Sequence, residues 1–194
     1  GVDALLAGQK VLHVSVRSTV PKVRGWYDDL LAEMLRRERK LEHLALIQLE
    51  VERRRHIHTY LGQSFTVERL RQALALLVET MDFRPQVLIL DPPGLEGVER
   101  TALEAVRGLA VQVGAELWLS CRTHRDGPQA EPGHLPPPAD RFEDLVDLAF
   151  RLDSRATTIR LQVLKDRERM LDRDLNLLLD PETQLLVTGV GARR

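Results

Sequence analysis

The stretch Gln86-Val87-Leu88-Ile89-Leu90-Asp91 decides the fold class of this chain. Its central residues are apolar without interruption, which is typical of a strand covered on both faces in a parallel sheet. Pro92-Pro93-Gly94 ends the strand, because proline lacks a backbone donor and glycine favours a turn. The sequence therefore predicts a buried strand over residues 86–91.

The segments on either side of this strand predict further strands joined by helices. Apolar runs predict a buried strand over residues 10–16 and another over residues 116–120. A helical pattern over residues 98–113 leads through Gly114 into the second of these strands. Strand, helix and strand at this spacing predict a mostly parallel sheet flanked by helices, in which residues 86–91 and 116–120 are neighbours.

Two helices and a short strand are predicted between residues 17 and 85. Apolar residues at helical spacing predict a helix over residues 26–37, with Pro21 and Gly25 marking its approach, and residues 56–61 predict a strand. Thr66 predicts the N-cap of the second helix, because its hydroxyl can accept a backbone N–H. The predicted buried face of that helix consists of Leu70, Leu74, Leu77, Val78 and Met81.

The residue pattern of the C-terminal third of the sequence differs from that of the rest. Its predicted strands cover residues 145–152, 157–164, 175–179 and 184–187. Asp180-Pro181-Glu182-Thr183 predicts a hairpin turn, so we expect these strands to be antiparallel. Residues 124–140 are rich in proline and glycine and predict a loop that acts as a lid or contacts a partner. We therefore expect an α/β fold, with residues 1–194 forming one domain.

Composition excludes several classes of protein. The chain has 28 basic and 29 acidic residues, so it lacks the strong positive field of a dedicated nucleic-acid binder. Its single cysteine, Cys121, cannot form an intramolecular disulfide, which is typical of a reducing compartment. The sequence contains neither an apolar run of membrane-spanning length nor a signal-peptide pattern, so we expect a cytoplasmic protein without a membrane partner.

A family resemblance spans nearly the whole chain. Its order-dependent motifs are KVLHVSV at 10–16, QVLILDPPG at 86–94, AELWLSCRTHR at 115–125 and TTIRLQVLKDRER at 157–169. Together these segments resemble the core of RecA-like P-loop ATPases, especially the KaiC, RadA and DnaB branches. The resemblance implies a RecA-like sheet with antiparallel C-terminal strands, ATP and Mg²⁺ as cofactors, and a homo-oligomer or another protein as partner.

The resemblance also implies roles for four residues. Asp91 would end the Walker B strand and orient the magnesium ion, and Ser120 would lie in the region that senses the phosphate. Lys165 and Arg167 look like the Lys-x-Arg element that reaches a neighbouring subunit's nucleotide, since two cations one residue apart on a strand end can point the same way. A purely structural interpretation remains for three of these residues. Asp91 would cap the following turn, and Lys165 and Arg167 would lie at a solvated strand end.

Two departures from the family pattern limit its activity. The Gly-rich loop ending in Lys-Ser/Thr, which holds the phosphates, occurs nowhere in the 194 residues. Where family members carry a water-activating glutamate, this chain has Arg17, whose guanidinium stays protonated and cannot act as a base. The sequence therefore assigns no catalytic residue and predicts that this chain does not hydrolyse ATP.

The first residues are interpreted as the end of an element. Residues 3–7 followed by Gly8 look like the last turn of a helix, so we expect the chain to be N-terminally incomplete. In the family the missing segment includes a central strand, and its loss is expected to leave two neighbouring strands without hydrogen-bond partners.

Other chemical groupings point to surface or packing roles. His56 and His58 can share one face of a strand, and Cys121 lies near His124, but neither pair supplies the four ligands of a structural zinc site. Arg53-Arg54-Arg55 forms a basic cluster with Arg36-Arg37 and Arg39-Lys40, and the acids Glu33, Glu38, Glu50 and Glu52 are interleaved with it. Such mixed charge is typical of a solvated helix face with pairs such as Glu50–Arg54. Nucleic-acid contact stays open without support, because aromatic residues are absent from this cluster.

Two functions follow from these observations. The first is a RecA/KaiC-like domain that binds nucleotide at a subunit interface when a phosphate-binding loop is present, and acts as a switch or assembly factor. The second is an inactive RecA-like scaffold that binds a protein partner and no nucleotide.

Overall fold

The computed structural model describes residues 1–62, 64–91, 95, 97–123, 133–155 and 158–189. Contacts group the chain into two compact units, Gly1–Arg122 and Thr123–Arg194, and each unit is described by itself. Of the predicted loop 124–140, residues 124–132 lie outside the described residues. In the described parts of the chain, no helix combines the length and the apolar character that crossing a membrane requires.

The first unit alternates helices and strands. Its elements in chain order are α1 (Val2–Leu6), β1 (Val11–Ser15), α2 (Val20–Arg37), a 3₁₀ turn (Leu41–His43), α3 (Leu44–Arg54), β2 (Arg55–Thr59), α4 (Val67–Glu79), β3 (Val87–Asp91), α5 (Arg100–Val113) and β4 (Glu116–Leu119).

The four strands form one sheet in the order β2-β1-β3-β4. Every pairing is parallel, with Val14 opposite His58 and Leu90, and with Leu90 opposite Leu119. The predicted α/β fold is therefore confirmed, and the two strands predicted to be adjacent, now β3 and β4, pair directly. Because all four strands run the same way, their carboxyl ends lie along one side of the sheet. We call this side the carboxyl edge, to distinguish it from the outer edges formed by the strands β2 and β4.

Two hydrophobic clusters cover the faces of this sheet. The first is built around Leu12, Val14, Leu88 and Leu90, and α4 and α5 pack on it. The second contains Val11 and Val87 with α1, α2 and α3. Successive residues of a strand point to opposite faces, so the apolar run of β3 serves both clusters.

Several boundaries differ from those predicted. Helix α2 begins at Val20, six residues before the predicted start, because Pro21 occupies the first turn, where its missing N–H costs nothing. Met81 lies beyond the end of α4 and is 55% exposed, so its predicted burial is wrong. The predicted buried strand β4 lies at an edge, which leaves Trp118 47% exposed.

The four strands of the parallel sheet pair with one another without a gap. Strand β1 pairs with β2 on one side and with β3 on the other. The expectation that a missing strand would leave two neighbours without hydrogen-bond partners stays a prediction. Within the described residues, the open positions are the outer edges of β2 and β4.

The second unit is an antiparallel sheet that follows a 3₁₀ segment (Ala139–Leu145). Its strands β5 (Leu148–Arg155), β6 (Thr158–Asp166), β7 (Arg169–Leu179) and β8 (Leu186–Thr188) pair in sequential order. The predicted antiparallel C-terminal strands are thus confirmed. Asp180 stabilises the turn before β8, since its Oδ1 accepts the backbone N–H of Glu182 at 2.9 Å.

Candidate functional site

Asp91 and Ser120 meet at the carboxyl edge of the parallel sheet. Asp91 is the last residue of β3, and Ser120 directly follows β4. The backbone N–H of Ser120 donates to the carbonyl of Leu90 at 3.3 Å, which continues the ladder by one residue. The Ser120 hydroxyl donates to Oδ1 of Asp91 at 2.6 Å, a distance typical of a charge-assisted hydrogen bond. The structure therefore brings together two of the four residues that the resemblance implied.

Ser15 lies beside Asp91 at the end of the central strand. It is fully buried, and its Cα is paired with that of Asp91. Its Oγ accepts the backbone N–H of Ser18 at 3.1 Å and lies 3.4 Å from the N–H of Arg17. Ser15 thus holds the turn that leaves β1, a role that the sequence analysis did not assign.

Arg17 is exposed in that turn. It lies two residues beyond the carboxyl end of β1. Its guanidinium cannot take a proton from water, because it remains charged at all ordinary pH values. Asp91 is partly exposed nearby on β3, so the carboxylate available at this edge is the one that the sequence singled out as a metal ligand.

His13 lies on β1 two residues before Ser15, on the sheet face that also carries Ser15 and Asp91. Its Nδ1 lies 3.0 Å from the Tyr27 hydroxyl, and its Nε2 is buried with no hydrogen-bond partner among the described residues. Burial lowers the pKa of His13 to about 4, against an opposing effect of the Asp91 carboxylate. The ring is therefore neutral at pH 7. A histidine inside an otherwise apolar strand was the signal that the sequence analysis passed over.

Arg55 connects this face to two acids. Its side chain is only 1% exposed and forms ion pairs with Asp28, at 3.5 Å, and with Glu52. Its guanidinium lies 5.0 Å from the ring centroid of Tyr27, whose hydroxyl contacts His13. A buried charge requires such partners, so Arg55 has a structural explanation.

Lys165 and Arg167 belong to the second unit. Lys165 lies in β6, and its Nζ donates to the backbone carbonyl of Glu143. Arg167 lies outside the strand, in the turn to β7, with φ of 53°. Strand alternation, on which the expected common direction of the two cations depends, ends with β6 at Asp166 and does not extend to Arg167. Their predicted contact with a neighbour's nucleotide stays a prediction.

The donor set at the carboxyl edge suits a hard cation. Magnesium prefers oxygen ligands and is commonly held by one or two carboxylates together with waters and substrate phosphates. Asp91 offers such a carboxylate, and the Ser120 hydroxyl fixes its orientation. Among the described residues no group of three or more histidine, cysteine or acidic side chains is placed to hold a metal by itself. A magnesium ion here would therefore depend on phosphate oxygens.

Two other groups of residues were interpreted from the sequence as surface or packing features: the pair Cys121 and His124, and the basic cluster. Cys121 is exposed, and its proposed neighbour His124 lies outside the described residues. The prediction of a solvated helix face is wrong for Arg55, which begins β2 and is buried. It is confirmed for Arg54 on α3, which pairs with Glu50 at 2.9 Å, and for Arg53, which pairs with the same acid at 3.2 Å. These pairs are those of a solvated helix face.

Comparison with known proteins adds no relative. Neither a scan against protein-family models nor a search of curated proteins finds a match to this chain. The resemblance to RecA-like ATPases therefore stays a prediction from the chain's own motifs.

Proposed function

We propose that this chain is a nucleotide-linked domain of the RecA-like ATPase class, acting as a switch or assembly factor rather than as a fast hydrolase. The observation that carries the proposal is the 2.6 Å hydrogen bond from Ser120 to Asp91, at the carboxyl ends of adjacent parallel strands. Ligands of open parallel sheets bind at this edge. In the family that the chain resembles, the acid at the position of Asp91 orients the magnesium ion, and here the Ser120 hydroxyl holds that carboxylate.

The phosphates would need a cradle that these 194 residues do not encode. Asp91 can orient magnesium but cannot hold a triphosphate, because its charge repels the phosphates without the ion. Consecutive backbone N–H groups and a lysine are the usual holders. We therefore expect this chain alone to bind Mg-ATP weakly and not to hydrolyse it.

The topology favours one position for a strand that carries such a cradle. The connection from β1 to β2 runs through helices on the sheet face that carries the second cluster. The connection from β3 to β4 runs in the opposite direction across the sheet, through α5 on the face that carries the first cluster. Both crossovers have the same hand, as parallel connections almost always do.

Helix α1 packs on the second cluster and leads into β1. A parallel strand preceding α1 with the same handedness would have to enter from the β4 side of the sheet. The outer edge of β4 pairs with no strand among the described residues. We therefore propose this edge as the place where the loop-bearing strand adds.

Titration tests the proposal in two forms of the protein. The 194-residue chain is expected to bind Mg-ATP with Kd weaker than about 1 mM. The gene is then read upstream of Gly1, and the extended chain is titrated if a Gly-x-x-x-x-Gly-Lys-Ser/Thr motif precedes it. In the extended chain, Asp91→Ala and Ser120→Ala should weaken Mg-ATP binding, whereas Asp29→Ala, which removes an exposed acid from α2, should not.

Three results would contradict these assignments. Micromolar Mg-ATP binding by the 194-residue chain that is lost in Asp91→Ala would mean that a site forms without the loop. Binding that survives Asp91→Ala but is lost in Lys165→Ala would transfer phosphate binding to the second unit. Binding by the extended chain that ignores Asp91→Ala and Ser120→Ala would remove the carboxyl edge from the site.

The strand addition has its own measurement. The amides of Glu116 and Ser120 donate to the β3 side, so those of Leu117 and Leu119 point away from it. In the extended chain the amides of Leu117 and Leu119 should exchange their hydrogens far more slowly than in the 194-residue chain. Unchanged exchange would place the added strand elsewhere.

The inactive scaffold is the second candidate, and the absent loop favours it. An open reading frame without the motif, together with no Mg-ATP binding by the full-length protein, would support the scaffold and refute the nucleotide switch.

A further inference from the structure

Strand β2 presents two histidines on one face at an edge of the parallel sheet. His56 and His58 alternate with Arg55 and Ile57, whose side chains serve the opposite face. The two imidazole centroids are 6.3 Å apart, and the ring planes are inclined by 40°. Both side chains are partly exposed. The pair is therefore open to solvent while its backbone is fixed by the pairing of β2 with β1.

The surroundings of the pair are aromatic. His56 lies 5.8 Å from Phe83, and His58 stacks on Tyr60 at 4.7 Å between centroids. Within the described part of the chain these ring contacts are the side-chain interactions of both imidazoles, and neither ring is hydrogen-bonded. Each neutral imidazole thus has its unprotonated nitrogen available as a ligand.

Both histidines are suited to bind a cation in their neutral form. Burial lowers the pKa of His56 and of His58, and for His56 the second imidazole adds to this effect. The Lys10 ammonium group lies 5.6 Å from the centroid of the Phe83 ring, which contacts His56, and it donates to the Asp82 carbonyl at 2.7 Å.

We propose that His56 and His58 form a two-histidine site for a divalent transition-metal ion, with water completing its coordination. Imidazole nitrogen is a preferred ligand of zinc, nickel and copper, and copper(II) binds most tightly of these to a given nitrogen site. The site is distinct in chemistry from the carboxyl edge, where oxygen ligands favour magnesium.

The geometry requires only a small adjustment. Two nitrogens bound to one tetrahedral ion at about 2.0–2.1 Å lie about 3.4 Å apart. Rings whose centroids are separated by 6.3 Å can reach that distance by rotation about their side-chain torsions, because both side chains leave the same face of one strand. The backbone of β2 need not move.

The test uses the 194-residue chain and metal ions alone. Calorimetric titration with Cu²⁺ and with Ni²⁺ should give one ion per chain. His56→Asn and His58→Asn should each weaken binding at least about tenfold, because each leaves a single imidazole. His43→Asn, which removes an exposed histidine from the 3₁₀ turn, is the matched control and should leave binding unchanged.

A second measurement needs no substitution. The electron paramagnetic resonance spectrum of the Cu²⁺-loaded chain should show coupling to two imidazole nitrogens, and nuclear magnetic resonance should show selective broadening of the His56 and His58 ring signals. Near-ultraviolet circular dichroism checks that both variants remain folded.

Equal binding by the parent and by both variants would overturn the proposal. So would binding that is lost in His43→Asn or in Cys121→Ser, or no binding of either ion by the parent chain. Retained metal binding in Asp91→Ala is expected, so this result separates the two-histidine site from the proposed nucleotide site.

Discussion

His13 is the residue whose chemistry differs most from its setting. It lies in the central strand among Leu12, Val14 and other buried apolar residues. One ring nitrogen contacts the Tyr27 hydroxyl, and the other is buried with no partner in the described parts of the chain. An imidazolium ion would lose its hydration there, which explains the low pKa.

This environment predicts a pH dependence of stability. The pKa of His13 is about 4 in the folded protein and 6.5 when unperturbed, so between these values the unfolded chain binds more protons. The free energy of unfolding should therefore be highest above about pH 6.5 and fall as the pH drops toward about 4. The shift corresponds to at most about 3 kcal/mol. Urea unfolding at several pH values measures it.

A variant isolates the contribution of His13. His13→Gln removes the titrating ring, so the loss of stability between pH 7 and pH 4 should shrink, whereas exposed His43→Gln should leave it unchanged. Other groups that face His13 are the Tyr27 hydroxyl, the Asp91 carboxylate, the Gly1 amino group and Arg55. An unaltered pH profile in His13→Gln would show that His13 does not cause the loss of stability.

Sequence patterns predicted the placement of Asp91 and Ser120 at the carboxyl edge, but not the roles of His13 and Ser15 on β1. Asp91 and Ser120 end apolar runs of adjacent strands, so their meeting follows from parallel pairing. His13 and Ser15 occupy positions inside a strand, and their roles depend on contacts with Tyr27 and with the following turn. Such contacts depend on tertiary packing, which strand periodicity does not encode.

Helix starts illustrate the same distinction at the scale of elements. Thr66 caps α4, since its Oγ1 accepts the backbone N–H of Arg69 at 3.1 Å, as the sequence predicted. Thr19 precedes α2 in the same position, but its side chain makes no capping hydrogen bond. In α2 the first turn contains Pro21, whose fixed φ favours a helix start.

The two threonines provide a matched pair of substitutions. Thr66→Ala should lower the free energy of unfolding by about 1 kcal/mol, because it leaves an amide of the first turn without its partner. Thr19→Ala should change it by less than about 0.5 kcal/mol. Urea unfolding followed by tryptophan fluorescence makes the comparison. Equal losses in both variants would mean that the Thr66 hydroxyl does not stabilise α4.

Strand order could not be predicted at this scale. The runs that form β1, β3 and β4 are recognisable because each is apolar, but nothing in them specifies that β1 lies between β2 and β3. That position depends on which helix covers which face. The adjacency of β3 and β4, in contrast, followed from the single helical connection between them.

At the scale of the whole molecule, the two hydrophobic clusters are built from residues of the first unit alone. Their members lie between Val2 and Leu119 and cover both faces of the parallel sheet. A sheet with both faces covered and its strands paired in register contains what a cooperative fold requires.

We therefore predict that residues 1–122 fold without the second unit. Both tryptophans, Trp26 and Trp118, lie within this segment, so their fluorescence reports its unfolding in the fragment and in the intact chain. The urea midpoint of the fragment should lie close to that of the intact chain, with a single transition. A fragment that unfolds without cooperativity, or that binds dyes specific for exposed apolar surface, would show that the clusters alone do not stabilise the sheet.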